Sequence, residues 1–145
     1  MFKTLLLPTD GTDLSNKSID KAVIFAAEIN AKIIGITVTE PFHYISIDSI
    51  SISDTPETYA SEMAKTANER LAHIAKRCSE LEVSCETVHC EASHPYSAIV
   101  ATAEEHNCDL IFMASHGRSG LSALLVGSEV SKVLTHTNIP VLVYR

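Results

Sequence analysis

Apolar residues in this chain occur either in short continuous runs or three to four residues apart. The continuous runs include Thr4–Leu7 and the β-branched segment Lys32–Thr39, both typical of strands covered on two faces of a sheet. Between them, helical spacing places five apolar residues on one face of a helix that Asn30 is predicted to end: Ile19, Ala22, Val23, Ala26 and Ile29. The chain therefore starts with a predicted strand, helix and strand, connected as in a parallel crossover.

The segment Glu40–Pro56 has no periodic pattern and is predicted to be a loop. A loop of this length in a small domain is usually functional or mobile. A helical pattern follows from Glu57 to about Leu81, in which we interpret Tyr59 and Met63 as core residues. Alternating residues from Val83 to Cys90 then predict a third strand.

The last third of the chain repeats this order of elements. Pro95 suits the first turn of a third helix, and Leu110–Ala114 is a fourth apolar run with the length of a buried strand. Ile139–Tyr144 predicts a fifth strand. Between the last two strands lies a fourth helix with three apolar residues on one face: Val130, Val133 and Leu134.

Five strands alternating with four helices predict a doubly wound α/β fold, a parallel sheet with helices on both faces, formed by residues 1–145 as one domain. Ligands bind such sheets beyond the carboxyl ends of strands, where adjacent connections run in opposite directions. If the first and fourth strands are neighbours, in the order 3-2-1-4-5, the tips Pro8–Asp10 and Met113–Ser115 line one crevice.

The loop after the fourth strand has the residues of a phosphate-binding site. Small and polar residues run from Ser115 to Gly120, and Gly127 and Ser128 precede the last helix. Such a loop presents backbone N–H groups and a helix N-terminus to an anion. Gly117 and Gly127 can adopt positive φ or allow close approach of a phosphate, and Ser128 can cap the helix and donate its hydroxyl.

These residues resemble the nucleotide-binding signature of the universal stress protein family. That signature is a glycine, two residues, a glycine, nine residues, and then Gly-Ser or Gly-Thr. Here Gly117 is the second glycine, Gly127-Ser128 closes the signature, and Ala114 replaces the first glycine. The match extends from Leu7–Asp10 to Ile139–Val143, which is essentially the whole chain.

The resemblance implies an adenine nucleotide alpha hydrolase-like fold with strand order 3-2-1-4-5. It also implies a stress-response protein that binds ATP, with or without Mg²⁺, or another adenine nucleotide. Thr9 and Asp10 would contact the base or ribose, Val38 would flank adenine, and the glycine loop would hold the phosphates. The expected binding residues are Pro8, Thr9, Asp10, Val38, Met113, Ala114, Ser115, His116, Gly117, Arg118, Ser119, Gly120, Gly127, Ser128, Glu129 and Val130.

Two other functions stay open beside nucleotide binding. Slow ATP hydrolysis could use Asp10 to orient water, although no Gly-x-x-x-x-Gly-Lys-Ser/Thr element is present for fast turnover. A nucleotide-free dimeric interaction module is favoured by Ala114, because its methyl group would weaken binding if the nucleotide lies against it. In that case Asp10 and Asp13 would be only helix caps.

Single side chains in the loop also have alternative roles. Arg118 could pair with a phosphate or be solvated. His116 could sense ligand charge, but we interpret it as a backbone hydrogen-bond partner. His89, Cys90 and His94 are not expected to bind zinc, because adjacent strand residues point to opposite faces.

Composition narrows the classes of partner and compartment. The net charge of -7 argues against nucleic acid as a partner. No apolar run is long enough to cross a bilayer, no signal-peptide pattern precedes the first strand, and the four cysteines lack CxxC spacing. We therefore predict reduced thiols, no membrane association and a cytoplasmic location.

A homodimer is predicted through the C-terminal strand, Val141–Tyr144. This strand is expected at a sheet edge, where its apolar residues and unpaired backbone groups would be exposed. Pairing with a symmetry mate would cover the edge, and members of the resembled family commonly form such dimers.

Overall fold

The computed structural model describes residues 1–42, 55–116 and 126–145. Strands and helices alternate along them: β1 (Thr4–Pro8), α1 (Asp13–Ile29), β2 (Lys32–Thr39), α2 (Pro56–Glu80), β3 (Cys85–Glu91), α3 (Pro95–Glu105), β4 (Leu110–Ala114), α4 (Ser128–His136) and β5 (Val141–Tyr144). The strands form one parallel sheet in the order β3-β2-β1-β4-β5. The predicted fold class and strand order are confirmed.

The third strand begins later than the apolar pattern predicts. It starts at Cys85 rather than Val83, because the chain must first turn away from α2. The N–H of Val83 donates to the carbonyl of Cys78 at 2.9 Å, and Glu82 takes the left-handed conformation with φ of 55°. This backbone hydrogen bond and left-handed residue end the helix and use the first residues of the predicted strand for the turn.

Other predicted bounds are corrected at proline residues. β5 starts at Val141 rather than Ile139, because Pro140 has no N–H to donate to a strand ladder. α2 starts at Pro56, one residue before the predicted position. Residues 43–54 of the predicted loop lie outside the described residues.

The two faces of the sheet are covered by separate apolar clusters. Successive residues of β1 alternate between them: Leu5 and Leu7 pack with α1 and α2, whereas Leu6 packs with α3 and α4. Both faces of β1 are therefore buried, which explains its continuous apolar run.

The apolar face of α4 is narrower than the sequence pattern predicts. Val130 and Val133 are buried, but Leu134 is 48% exposed, so its predicted place on the inner face is wrong. The helix is only nine residues long and packs mainly against α3, so a narrow stripe is enough to cover its share of the sheet.

Candidate functional site

A cavity of about 700 Å³ lies at the carboxyl ends of β1, β2 and β4. The first turns of α3 and α4 form one wall, and α2 forms the wall on the opposite side. All the predicted binding residues that the structure describes line this cavity: Pro8, Thr9, Asp10, Val38, Met113, Ala114, Ser115, His116, Gly127, Ser128, Glu129 and Val130. Gly117, Arg118, Ser119 and Gly120 lie outside the described residues.

The turn after β1 presents a carboxylate to this cavity. Asp10 Oδ1 accepts hydrogen bonds from the N–H of Thr12 at 3.0 Å and from its hydroxyl at 2.7 Å. Oδ2 of Asp10 takes part in no hydrogen bond within the described residues, and Asp10 is only partly buried. The turn therefore fixes the carboxylate through one oxygen and leaves the other facing ligand or solvent.

The interpretation of Asp10 and Asp13 as helix caps is wrong. Thr12 is the N-cap of α1, and its side chain accepts from the N–H of Ser15 at 3.3 Å. Asp13 is exposed in the first turn, where a negative charge favours the helix N-terminus. Gly11 has a φ of 79°, a conformation that glycine adopts without strain.

The tips of β1 and β2 are tied together beneath the cavity. The buried hydroxyl of Thr37 donates to the carbonyl of Thr9 at 2.8 Å, and the N–H of Thr9 donates to the carbonyl of Ile36 at 2.8 Å. The hydroxyl of Ser15 also hydrogen-bonds with the hydroxyl of Thr9 at 3.1 Å. These contacts hold the Thr9–Asp10 turn in a fixed position beside Val38.

The first half of α2 lines the cavity, whereas the sequence pattern predicts a core face there. Its cavity-facing residues follow helical spacing: Tyr59, Met63, Thr66 and Arg70. A helix of 25 residues is about 37 Å long, whereas β2, with eight residues, spans about 26 Å. The first turns of α2 therefore extend past the sheet and face a cavity, so the interpretation of Tyr59 and Met63 as core residues is wrong.

Tyr59 anchors this part of α2 to the end of β2. Its hydroxyl donates to the carbonyl of Glu40 at 2.8 Å, and its ring meets Phe42 edge-on with centroids 5.4 Å apart. Burial raises the pKa of Tyr59, and the negative charges of Glu40 and Glu91 raise it further. Tyr59 therefore stays a neutral hydrogen-bond donor at physiological pH.

Arg70 brings a cation to the cavity wall. One guanidinium nitrogen, Nη1, lies 3.5 Å from both the Thr37 hydroxyl and the Val38 carbonyl. The stem of Arg70 packs against the glycine of the β1 turn, since a Cβ on Gly11 would lie 2.9 Å from Arg70 Cγ. The sequence contains only a weak signal for Arg70. This residue continues the spacing of Tyr59 and Met63 along one helix face.

The tip of β4 approaches the start of α4 very closely. The N–H of Gly127 donates to the carbonyl of Ser115 at 2.7 Å, and a Cβ on Gly127 would lie 2.6 Å from that oxygen. Gly127 has a φ of -58°, so glycine is needed for close packing and not for positive φ. The prediction that Ser128 caps the helix is wrong: Gly127 is the N-cap, and Ser128 is the first helical residue.

His116 makes a side-chain contact that corrects its expected role. Its Nδ1 hydrogen-bonds with the hydroxyl of Ser115 at 2.8 Å, and Ser115 is only 1% exposed. Nε2 of His116 is buried and has no partner within the described part of the chain. The ring is therefore fixed by a side chain rather than by the backbone, and one of its nitrogens is left for a further partner.

Glu129 connects the starts of two helices. Its Oε2 accepts from the N–H of Tyr96 at 2.9 Å, and its Oε1 accepts from Lys132 at 3.1 Å. Its partner helix α3 has His94 as N-cap, with no side-chain capping hydrogen bond. Glu129 supplies the missing acceptor, so its carboxylate has a structural role in addition to its place beside the cavity.

The cavity lining carries charges of both signs: the helix N-termini and Arg70 are positive, and Asp10, Glu40 and Glu129 are negative. Residues near the N-termini of three helices line it, namely Ser15 of α1, Pro95 of α3 and Ser128 of α4. Each N-terminus carries partial positive charge, and side chains already cap two of them, Thr12 at α1 and Glu129 at α3. Arg70 adds a full positive charge on the opposite wall.

Ala114 occupies an ordinary strand position. It is the last residue of β4 and pairs with Tyr144 of β5. Among the described non-glycine residues, positive φ occurs at Asn30, Glu82 and Asn107 only. The backbone at position 114 does not require glycine. The effect of Ala114 on binding therefore depends only on whether a ligand touches its methyl group.

Neither a metal site nor a membrane span occurs within residues 1–42, 55–116 and 126–145. No three His, Cys, Asp or Glu side chains lie close enough to hold a metal ion there. No helix in these ranges combines the length and apolar character needed to span a bilayer. His89 instead hydrogen-bonds with the hydroxyl of Thr39 at 2.7 Å.

Sequence comparisons show which proteins this chain is similar to. The model of the universal stress protein family matches residues 1–145. Universal stress protein MJ0531 of Methanocaldococcus jannaschii is 28% identical over 145 residues, covering 100% of this chain and 83% of that protein. Universal stress protein YxiE of Bacillus subtilis is 29% identical over 149 residues, covering 100% of both chains.

Solved structures share the fold at lower identity. Hypothetical protein MJ0577 superposes with a TM-score of 0.81 at 24% identity, covering 99% of this chain and 95% of that one. A universal stress protein in complex with cAMP gives 0.70 at 23% identity, covering 99% and 97%. A universal stress protein from Archaeoglobus fulgidus in complex with dAMP gives 0.67 at 16% identity, covering 100% and 98%.

Proposed function

This chain belongs to the universal stress protein family, and on that premise we propose that it binds an adenine nucleotide, ATP first among the candidates, in a stress-response role. The positions of the expected binding residues support the proposal. Every described residue that the family resemblance assigned to the nucleotide lines one cavity, although these residues come from four separate parts of the chain. Proteins of the same fold bind cAMP and dAMP.

The cavity lining includes the apolar and polar side chains that the parts of a nucleotide require. Val38, Met113 and Met63 provide apolar surface for a base. The Asp10 carboxylate oxygen that makes no hydrogen bond within the described residues would accept from the ribose hydroxyls. Ser128, at the start of α4, would donate to phosphate together with the backbone N–H groups of the first helical turn. Glu129, the carboxylate at this end, is already engaged by Tyr96 and Lys132, so Mg²⁺ would be held chiefly by the phosphates.

Isothermal titration of ATP with Mg²⁺ into paired variants tests this function. Asp10→Asn keeps an acceptor for Thr12 but removes the charge that would face ribose, so affinity should fall about tenfold, as expected for a charged hydrogen bond. The matched control is Asp13→Asn, which makes the same change at an exposed helix position. Equal affinities for both variants, or no saturable heat with the unaltered protein, would contradict the proposal.

Ala114→Gly separates this function from that of a nucleotide-free interaction module. If the unaltered protein does not bind but Ala114→Gly does, the methyl group at the end of β4 has disabled a nucleotide site. Binding by both supports the proposed function. If neither protein binds ATP, an interaction module that acts through its surface is favoured.

We also propose that the protein is a homodimer paired through β5. β5 lies at the sheet edge, beyond β4, and Leu142 is 37% exposed there. The carbonyls of Pro140 and Tyr144 face β4, so the backbone groups of Val141 and Val143 face the open edge. A dimer mass by light scattering, reduced to that of a monomer by Val143→Pro, is the expected result, and a monomer mass for the unaltered protein at micromolar concentration would contradict the pairing.

A further inference from the structure

The buried hydroxyl of Thr37 links three elements that border the cavity. Thr37 lies in β2 and is 0% exposed. Its hydroxyl donates to the carbonyl of Thr9, in the turn after β1, at 2.8 Å. The same oxygen lies 3.5 Å from Nη1 of Arg70 on α2. A hydroxyl has one proton to donate and lone pairs that accept, so Thr37 can serve both contacts at once without lining the cavity itself.

The contact with Thr9 fixes the peptide group that precedes Asp10. The carbonyl of Thr9 and the N–H of Asp10 belong to one planar peptide group. Holding that carbonyl therefore sets the orientation of the plane from which Asp10 begins. The other polar groups of Thr9 are also held, since its N–H donates to the carbonyl of Ile36 at 2.8 Å and its hydroxyl lies 3.1 Å from that of Ser15. Thr9 is only 6% exposed, so the hydroxyl of Thr37 is not readily replaced by bulk water.

Arg70 packs on the other side of Asp10. Its stem lies over Gly11, the residue after Asp10, because a Cβ on Gly11 would lie 2.9 Å from Cγ and 3.5 Å from Cδ of Arg70. The guanidinium at the end of this stem is the group that lies 3.5 Å from the hydroxyl of Thr37. Thr37 therefore supports both neighbours of Asp10, one directly through a carbonyl and the other through the arginine.

The Asp10 carboxylate depends on this turn for its position. Its Oδ1 accepts from the N–H and the hydroxyl of Thr12 at 3.0 and 2.7 Å. Those hydrogen bonds fix the carboxylate relative to its own turn, whereas the hydrogen bond from Thr37 fixes the turn relative to β2. Because Val38 follows Thr37 directly, the same contact sets the distance between Asp10 and the strand end that is proposed to meet the base.

We propose that Thr37 is a positioning residue that holds the Asp10 carboxylate against the ribose hydroxyls and so makes the site selective for an intact ribose. The inference rests on the proposed nucleotide-binding function and extends it to the sugar. Thr37 acts through Asp10 and does not touch the ligand. A hydrogen bond between a hydroxyl and a carboxylate needs oxygens about 2.5–3.0 Å apart, so a displaced Asp10 loses the ribose while base and phosphate contacts from other elements remain.

The ratio of affinities for ATP and 2′,3′-dideoxy-ATP measures this selectivity. Dideoxy-ATP lacks both ribose hydroxyls and keeps the base and the phosphates. By calorimetric titration, the unaltered protein should bind ATP about tenfold more tightly, as expected for hydrogen bonds to a carboxylate. Thr37→Val keeps the size of the side chain but removes its hydroxyl, and should reduce the ratio to about twofold or less. Partial unfolding does not change the ratio, because it lowers both affinities by the same factor.

Matched variants separate positioning from a general loss of stability. Thr37→Ser keeps the hydroxyl and should keep the affinity ratio of the unaltered protein. Thr102→Val removes another buried hydroxyl, on α3, and should also keep that ratio. Asp10→Asn should lose the ratio as Thr37→Val does, and the double variant should lose no more than either single variant, because both changes remove the same ribose contact. Thr37→Cys, whose thiol is a weak donor, takes the place of Thr37→Val if that variant does not fold.

Amide hydrogen exchange tests the same positioning without any nucleotide. The N–H groups of Gly11 and Thr12 are hydrogen-bonded within the turn, and both should exchange about fivefold faster in Thr37→Val but not in Thr102→Val. If the unaltered protein binds neither nucleotide, the proposed function fails and exchange alone decides the role of Thr37. Equal binding of the two nucleotides by the unaltered protein, an unchanged ratio in Thr37→Val, additive losses in the double variant, or unchanged exchange in the turn would each overturn the inference.

Discussion

The two halves of α2 carry similar patterns of spacing but face different surroundings. In the second half, the inward residues are 0–7% exposed and fill the core: Leu71, Ile74 and Cys78. In the first half, the corresponding stripe lines the cavity and is only partly buried: Tyr59, Met63 and Thr66, followed by Arg70 just past the middle of the helix. One helix therefore supplies both a core face and a binding wall, because it is longer than the strands that it covers.

The difference shows what a helical pattern can and cannot predict. Spacing of three and four residues identifies a face that avoids water, and both halves of α2 have such a face. Whether that face meets packed side chains or an open cavity depends on where the sheet ends, which is set by other parts of the chain. Polar members of the stripe, Thr66 and Arg70, mark the half that leaves the core.

The largest effect should come from breaking the core half of the helix. Ile74 is fully buried and packs directly over Gly35, where a Cβ would lie 2.8 Å from the Ile74 side chain. Ile74→Ala should lower the free energy of unfolding by about 2–5 kcal/mol, as measured by urea denaturation. The matched change in the cavity half, Met63→Ala, should cost about 1 kcal/mol or less, because a partly buried side chain loses less packing. Equal losses would contradict the division of α2 into two halves.

An effect of intermediate size on stability is expected at Gly127. This residue lies on the cavity wall opposite α2 and packs closely against the end of β4. Gly127→Ala would place a methyl group 2.6 Å from the Ser115 carbonyl, which is backbone and cannot move aside easily. We expect a loss of about 1–3 kcal/mol in the free energy of unfolding. Ser128→Ala, at the next position, changes an exposed residue of the same wall and should stay within about 0.5 kcal/mol. If Gly127→Ala is as stable as the unaltered protein, the close approach of α4 to β4 is not required.

The smallest effect compares two arginines on the same helix. Arg70→Gln removes the cation beside Val38, where the base is proposed to lie, and should weaken binding of both ATP and adenosine about fivefold. Arg77→Gln, about two turns further along the helix, removes an ion pair with Asp20 at 3.0 Å and should leave both affinities unchanged. Calorimetric titration with both ligands measures the contrast, and equal weakening by the two variants would show that Arg70 has no special position.

Much of the fold is predictable because its signals are local. Continuous apolar runs identify β1 and β2, since both strands are covered on two faces. Asn30 is predicted to end α1, and it takes the left-handed conformation with φ of 54° that ends helices. The family resemblance that the glycine motif and the strand tips carry also assigns the described cavity residues on β1, β4 and α4.

The features that the sequence does not predict depend on contacts between residues that are distant in the chain. Arg70 and Tyr59 belong to the cavity only because α2 extends past β2, and the role of Gly127 comes from the Ser115 carbonyl on another element. Leu134 looks apolar and inward in the sequence, but α4 packs along too narrow a stripe to bury it. Glu129 resembles a ligand contact in the motif, and its capping of α3 depends on how two helices meet.

The most direct measurement is a ¹H–¹⁵N spectrum of the protein titrated with ATP and Mg²⁺. We predict that amide shifts concentrate at Thr9–Thr12, Val38–Glu40, the first half of α2, and Gly127–Val130. Amides around Cys78, at the far end of the same helix, should not move. An unchanged spectrum at millimolar ATP, or shifts that cluster at the second half of α2 instead of the cavity, would contradict nucleotide binding at this site.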